Sequence, residues 1–492
     1  MPEQLSASPE CAACAARDGL IAEQAGMIEE LRAANARLAE RVAALERAVG
    51  RNSGNSSMPP STDDLPGRTK PARRRAKGSG RSRGKQPGAP GSTLAWVAEP
   101  DERVAHRPQG TCGCGADLAG AAEVGIERSH QVHDLPEIRI RVRQHDLYRV
   151  CCGCGREHVA DRPAQVPVAS CSYGPTIRSL IVYLLIYQHV PVARCVELIA
   201  DLTGTAPSTG FVHGLLARCA TAVRETVTTI KSLITVAHVV GFDETTLRAG
   251  PAGQKRHVLS AVTDQYSLFH LGGRDLASFR KFGILPGCTG IAVHDRYQNY
   301  FHPDWKHLAG HQICASHLLR DFTDAAECYP DQDWPEQAQR ALRGLIHAGN
   351  QARDAGHAAI ASAVRDPLID SFRHAVRVGL AQVPANPGPR SSTKQPPGRV
   401  LLEFCRDRET DVLLFVTDTR IWPTNNISER SLRPTKTQQK ISGRLTSEII
   451  TQDRLDIRSY IDTIRKHGVD VLAGIRAALT GNPWRPPEPA PA

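Results

Sequence analysis

The chain has 492 residues, 41% of them hydrophobic, with a formal net charge of +10 at pH 7. That length exceeds one ordinary domain and the apolar content is enough for buried cores, which excludes a wholly disordered chain and leads us to expect three or four units. The positive balance points to a polyanionic partner, and the longest apolar run, SLIVYLLIY (179–187), is too short to cross a bilayer.

The first residues carry no basic stretch followed by an apolar run, so no signal peptide is expected and the chain is read as cytoplasmic. Its 14 cysteines are then read as metal ligands or small buried hydrophobes rather than as disulfides. Residues 20–49 repeat every seven positions. Ile21, Ile28, Asn35, Val42 and Val49 fall at a; Gln24, Leu31, Leu38 and Leu45 fall at d. β-Branched residues at a with Leu at d favour two strands, and one Asn at a favours a parallel, in-register pair. Residues 1–50 are therefore expected to be a coiled-coil dimerisation segment; a surface helix of a larger domain is the plainer reading. Cys11 and Cys14 form a lone CxxC, a weak signal.

Residues 51–92 lack the apolar content to fold alone and read as a disordered basic linker. Nine Lys and Arg, and no acid, lie from Arg68 to Lys85. As an arm, with Arg73, Arg74, Arg75 and Lys77 at its centre, this segment would neutralise phosphates without reading sequence. As a plain linker it would only be solvated.

Residues 93–165 hold TCGCG (111–115) and CCGCG (151–155), two cysteine knuckles separated by the alternating, strand-like HQVHDLPEIRIRVRQHDLYRV. That pattern predicts a zinc-ribbon-like module. Thiolates bind Zn²⁺ tetrahedrally, and a four-sulfur site is closed and structural. The expected ligands are Cys112, Cys114, Cys151 and Cys154, with Cys152 as an alternative to Cys151. Residues 166–235 read as helical: one helix, a turn at Gly204, an N-cap at Ser208 or Thr209, then a second helix. This is helix-turn-helix-like, or else a plain helical hairpin.

From residue 236 the periodicity changes. AHVVGFDETTLR is an apolar strand ending on Asp243 and Glu244; RHVLSAVTD and YSLFHLGG are further strands; DLASFRKFG is a helix; GIAVHDRYQNY is a buried strand ending on Asp295. Acids at the ends of two strands can meet at one edge of a sheet. A third from a helix laid against that sheet would complete a carboxylate cluster suited to Mg²⁺ or Mn²⁺, ions that clamp the attacking and leaving oxygens of phosphoryl transfer. TNNISERSLRPTK (424–436) supplies that third acid, Glu429, among Arg430, Arg433 and Lys436, which would face a phosphate backbone. Each acid also has a bland reading: Glu244 in place of Asp243, Asp295 as an N-cap, Glu429 in an ion pair with Arg433. His294, Cys314 and His317 are read as buried neighbours of the site, although a Zn²⁺ held by the last two is conceivable. Residues 318–415 read as helices inserted before the third acid.

These motifs resemble the IS66 transposase family. GFDETTLR is similar to its Asp-Glu-Thr segment, VHDRYQNY to its Asp-x-Tyr-x-x-Tyr segment, and NNISERSLRP to its Asn-Asn-x-x-Glu-Arg-x-Leu-Arg-Pro segment. CASHLLRDF, with Cys314, His317 and Arg320, matches the family's cysteine–histidine–arginine segment without its aromatic and its second arginine. The resemblance implies an RNase H-like core at 236–317 and 416–450, interrupted by the helical insertion 318–415 and followed by C-terminal helices and a Pro-rich tail at 451–492. It places an Asp-Asp-Glu triad at Asp243, Asp295 and Glu429.

The expected protein is thus a multidomain α+β DNA transposase: coiled coil, zinc ribbon, helix-turn-helix-like domain and catalytic core. Its partners would be the element's terminal repeats, target DNA, a second copy and accessory proteins, placing it at the nucleoid. The rivals are a non-catalytic zinc-ribbon DNA-binding protein and another RNase H-like nuclease.

Overall fold

The computed structural model describes residues 12–52, 54–55, 94–163, 166, 168–388 and 394–487. Most of the basic arm, including Arg73, Arg74, Arg75 and Lys77, lies outside the described residues, as does Cys11. The chain forms two compact units, the smaller made of Ala72–Val159 with Asp201–Thr205. Among the described residues, no helix is long and apolar enough to cross a membrane.

The heptad segment forms one helix, α1 (Ala12–Gly50). Its stripe residues Ile21, Ile28, Leu31, Leu38, Val42, Leu45 and Val49 are all exposed in the single chain.

In the smaller unit the alternating stretch 130–148 does not form the expected strands. Val132, Leu135 and Val142 stand exposed, and without an apposed surface to bury one face, alternation alone gives no sheet. The regular elements there are a 3-10 turn (Leu118–Gly120), the two knuckles and a short hairpin, β1 (Arg149–Cys151) paired antiparallel with β2 (Glu157–Val159).

After the smaller unit's hairpin the chain forms α2 (Pro175–Val182), a π turn (Tyr183–Tyr187), α3 (Val192–Thr203) and the long α4 (Thr209–Thr235). Ser208 caps α4, its Oγ accepting from Phe211 N at 3.1 Å. Then come β3 (Val239–Leu247), β4 (Arg256–Val262), β5 (Ser267–Gly272), α5 (Leu276–Phe282), β6 (Ile291–His294) and β7 (Gly310–Ile313). The sheet order is β5-β4-β3-β6-β7, antiparallel through the first three strands and parallel from β3 to β7. Sequence patterning gave no sign of β7, because GHQI holds a single apolar residue. The residues read as a helical insertion, 318–415, carry α6 (Ala315–Cys328), α7 (Trp334–Asp354), α8 (Ser362–Gln382), α9 (Pro397–Asp407) and α10 (Glu409–Leu413), followed by α11 (Asn426–Ser442), α12 (Glu448–Lys466) and α13 (Val471–Leu479).

Strand residues alternate between faces, and this sets the layers. On one face Val239, Ile291 and Val293 pack on the core of α6–α9. On the other, Val240, Phe242, Leu259, Ala261 and Ala292 pack on Ile230 and Ile234 of α4 and on Phe279 and Phe282 of α5. The first face continues over the antiparallel half, where Leu247, Val258, Phe269 and Leu271 meet Leu432 of α11 and Leu455 of α12. The C-terminal helices also complete the core of the 172–235 segment: Ile457, Tyr460, Ile461 and Ile464 with Ile475 fill the space between α2, α3 and α4.

α12 also covers the edge strand. The outward N–H groups of Ser267, Phe269 and Leu271 donate to Thr463 Oγ1 (3.1 Å), Ser459 Oγ (3.0 Å) and Gln452 Oε1 (2.9 Å). An open edge would otherwise recruit another strand. Ser459→Ala leaves one of these buried donors unpaired and is expected to cost about 1–3 kcal/mol, measured by urea unfolding. An unchanged midpoint would mean that the helix does not carry the edge.

Candidate active site

β3 pairs in parallel with β6, Val239 opposite Ile291, Val240 opposite Ala292 and Gly241 opposite Val293. Continuing that register brings Asp243 level with Asp295, the first residue past β6. β3 itself does not end at its acids. It runs on to Leu247 because β4 still pairs with it, with Ser260 opposite Asp243. The two aspartates therefore stand where the parallel neighbour stops and the sheet seam opens.

Alternation then separates the two adjacent acids of β3. Asp243 shares the face of Val239 and Gly241, toward α11; Glu244 shares the face of Phe242, toward α5. Glu244 is 2% exposed at its side chain and fully engaged there. Arg274, just after β5, donates Nε to its Oε1 at 2.5 Å, and Tyr300 donates its hydroxyl to Oε2 at 2.6 Å. Arg274 Nη2 also leans on Asp295 Oδ2 at 3.7 Å, with the guanidinium 3.9 Å from the centre of the Tyr297 ring.

The seat of α11 explains the polar stretch around Glu429. Asn425 precedes the helix and is buried. Its Nδ2 donates to Phe242 O at 2.6 Å, and its own N–H points to Cys314 Sγ at 3.2 Å. The helix start thus sits against β3 at Gly241. A Cβ there would press into Ser428 Oγ and come within 3.0 Å of Asn425 Oδ1. From this seat Glu429, in the first turn of α11, turns inward. Its side chain is 25% exposed, and its Oε1 is buried without a hydrogen-bond partner.

Asp243 feels the other acids. Burial pushes the Asp243 carboxyl well above the usual carboxylate range, and the charges of Glu244, Asp295 and Glu429 push it further. Burial also raises Glu244, with Asp295 adding to the shift. Asp295 accepts the Tyr297 N–H at 2.7 Å, so it caps the following turn as well as facing the cluster.

The basic residues of α11 divide. Arg430 and Arg433 are exposed on its outer side. Lys436, expected to face phosphate, is instead held by β3, its ammonium donating to Thr246 Oγ1 at 2.8 Å and Thr246 O at 3.1 Å. A lysine one turn further along the helix lies over the strand, where the carbonyl and hydroxyl oxygens of Thr246 accept from it.

Among the described residues, one group of three potential metal ligands has its donor atoms within 4.8 Å of one another: Cys314, His317 and Glu429. Asp243, Asp295 and Glu429 are not mutually that close. Neither are any three cysteines of the smaller unit. Each knuckle is nevertheless formed. Cys112 N donates to Ala116 O and Gly115 N to Cys112 O; Cys152 N donates to Arg156 O and Gly155 N to Cys152 O. Gly115 and Gly155 supply the left-handed turn at φ 89° and 80°. The repeat matches Cys112 with Cys152 and Cys114 with Cys154, while Cys151 sits in β1. The hydrogen bonds within each turn lower the thiols of Cys114 and Cys152.

His294 is fully buried. It stacks on Tyr300 at 4.5 Å and meets His311 Nδ1 through Nε2 at 2.9 Å. Burial drives its pKa from 6.5 down to about 3, so it is a neutral packing residue. A base held neutral by folding contributes stability that is full above about pH 6.5 and lost as pH falls toward 3. Acidification from about pH 7 to about pH 5 should cost about 2 kcal/mol through this group. Denaturant midpoints at the two pH values check this, and His294→Asn should lose that share of the slope.

Arg274 and Tyr300 carried no role in the sequence reading. The available signal was position: Arg274 lies two residues past the end of β5, and Tyr300 closes the DRYQNY stretch.

Comparison with known families gives two matches. The description Transposase IS66 family covers residues 170–451, more than half of the chain. A family of unknown function (DUF6444) covers residues 13–95. No curated protein matches the chain.

Proposed function

The chain belongs to the IS66 family of transposases, and on that premise we propose that it cuts DNA at the ends of its element and joins the freed ends to a target. The observation that carries this reading is the convergence of Asp243, Asp295 and Glu429 at the seam between the antiparallel and parallel halves of a β5-β4-β3-β6-β7 sheet, the strand arrangement of an RNase H-like core. The chain is then a DNA-processing enzyme, with those three acids as its catalytic residues.

A hard divalent cation, Mg²⁺ or Mn²⁺, fits the site. The donors are carboxylate oxygens, Asp243 is raised first by burial and then by the charges of its acidic neighbours, and Glu429 Oε1 is buried and unpaired. Asp243, Asp295 and Glu429 would hold the metal, which when bound activates the attacking oxygen and steadies the leaving one. The chain's own residues do the rest. Arg274 neutralises Glu244 and supports Asp295. Tyr300 fixes Glu244 from the other side. Arg430 and Arg433, exposed beside Glu429, would grip the phosphates of the strand being cut.

The basic arm with Arg73, Arg74, Arg75 and Lys77 would add sequence-independent affinity. The exposed α1 stripe would pair with a second copy, as Asn35 at an a position favours. In the smaller unit we propose a structural Zn²⁺ drawing the two knuckles together, with Cys112, Cys114, Cys152 and Cys154 as ligands, because Cys152 repeats the backbone pattern of Cys112 and Cys151 does not. Nucleoid association and accessory proteins of the element complete the proposal.

The test is Mg²⁺-dependent nicking of a duplex carrying the inverted repeats that flank the gene, with a scrambled duplex beside it. Specific nicking is expected. Binding of both duplexes without any nicking would favour the non-catalytic DNA-binding reading.

A further inference from the structure

Cys314 stands between β7 and α6, its backbone N–H donating to His294 O at 2.8 Å. His317 follows three residues later, so both side chains fall on one face of the helix start. Glu429 reaches them from the first turn of α11. The three donor atoms lie within 4.8 Å of one another. Two of the side chains carry buried polar atoms without partners, His317 Nδ1 and Glu429 Oε1. The closest approach between them, His317 Nε2 to Glu429 Oε1, is 3.9 Å, too long for a hydrogen bond. Buried polar atoms are normally paired, so two orphans beside one thiol point to something that belongs between them.

We propose that Cys314, His317 and Glu429 form a binding site for one borderline-soft divalent cation of the Zn²⁺ kind. A thiolate, an imidazole and a carboxylate are zinc ligands, whereas Mg²⁺ avoids sulfur. Three protein ligands leave one position for water. Ordinary Zn–N and Zn–S lengths put tetrahedral ligand atoms about 3.5 Å apart, so a small side-chain rotation closes the present spacing. The cation displaces the thiol proton to solvent, and no other bond changes.

The site stands on these three side chains and does not rest on the transposase reading. One consequence does. Glu429 is common to both centres, so zinc bound here withdraws the third acid from the triad and stops strand cleavage.

The probe is Zn²⁺ alone, with Co²⁺ alone as a spectroscopic stand-in, added to the full chain without DNA or Mg²⁺. The wild-type chain is expected to hold one equivalent more zinc than Cys314→Ser and than His317→Gln, and to show a larger thiolate-to-cobalt charge-transfer band than either. Zinc at the five cysteines of the smaller unit cancels in this difference and reports whether each variant is intact. Equal zinc content in wild type and both variants overturns the site. Asp243→Asn should keep the extra equivalent, so the site can stand even if no cleavage is ever detected. Where cleavage is present, the Zn²⁺ concentration that halves it in Mg²⁺ buffer should rise at least tenfold in Cys314→Ser.

Discussion

Asp243→Asn, Asp295→Asn and Glu429→Gln are each expected to reduce Mg²⁺-dependent strand cleavage at least about a thousandfold, about 4 kcal/mol of transition-state stabilisation, while DNA binding holds or tightens slightly. Each amide keeps the shape of its acid and removes a charge that a divalent metal needs. Binding holds because the phosphate contacts proposed for Arg430, Arg433 and the basic arm are untouched, and one fewer carboxylate repels the DNA. Glu244→Gln is the internal control. Glu244 is adjacent in sequence, but it faces α5 and is already satisfied by Arg274 and Tyr300, so its loss should be far milder. Cleavage assays on pre-bound DNA, with binding measured in parallel, give the comparison. If Glu244→Gln were as damaging as Asp243→Asn, the division of the two faces of β3 would be the wrong account of the site.

Gly241→Ala should be the most damaging substitution that touches no acid. A methyl group here meets Ser428 Oγ and Asn425 Oδ1, the two side chains that seat the start of α11 on β3. The helix must lift by a few tenths of an ångström or more, carrying Glu429 with it. A misplacement on the order of 1 Å costs about a hundredfold in rate, and overpacking costs about 1–3 kcal/mol of stability. Cleavage should therefore fall about a hundredfold in a protein that is still folded. Ser428→Ala removes the nearest obstruction, so the double variant Gly241→Ala/Ser428→Ala should recover part of the activity. A fully active Gly241→Ala protein would mean that the seat of α11 does not position Glu429.

Local signals in the sequence settled much of this chain. The heptads of 20–49 yield one long helix. Ser208 caps α4 where the serine precedes an apolar period. The apolar runs at 239, 256 and 267 become β3, β4 and β5, and the acids fall in the order Asp243, Asp295, Glu429. Each of these features depends on a residue's own conformational preference or on partners a few positions away, information that the sequence carries directly. The tertiary structure decided what depends on partners far along the chain. It chose Asp243 over Glu244 to face Glu429, since period-2 alternation separates two neighbours but does not say which layer covers which face. It took Lys436 from the proposed phosphate contacts by laying it over Thr246, about 190 residues away in sequence. It brought Arg274 onto Glu244, closed the β5 edge with α12, and left the alternating stretch 130–148 without a sheet. Side-chain chemistry is written in the sequence, but burial, charge and hydrogen-bond competition at a site depend on which distant surfaces are pressed together, and the folded chain alone decides that.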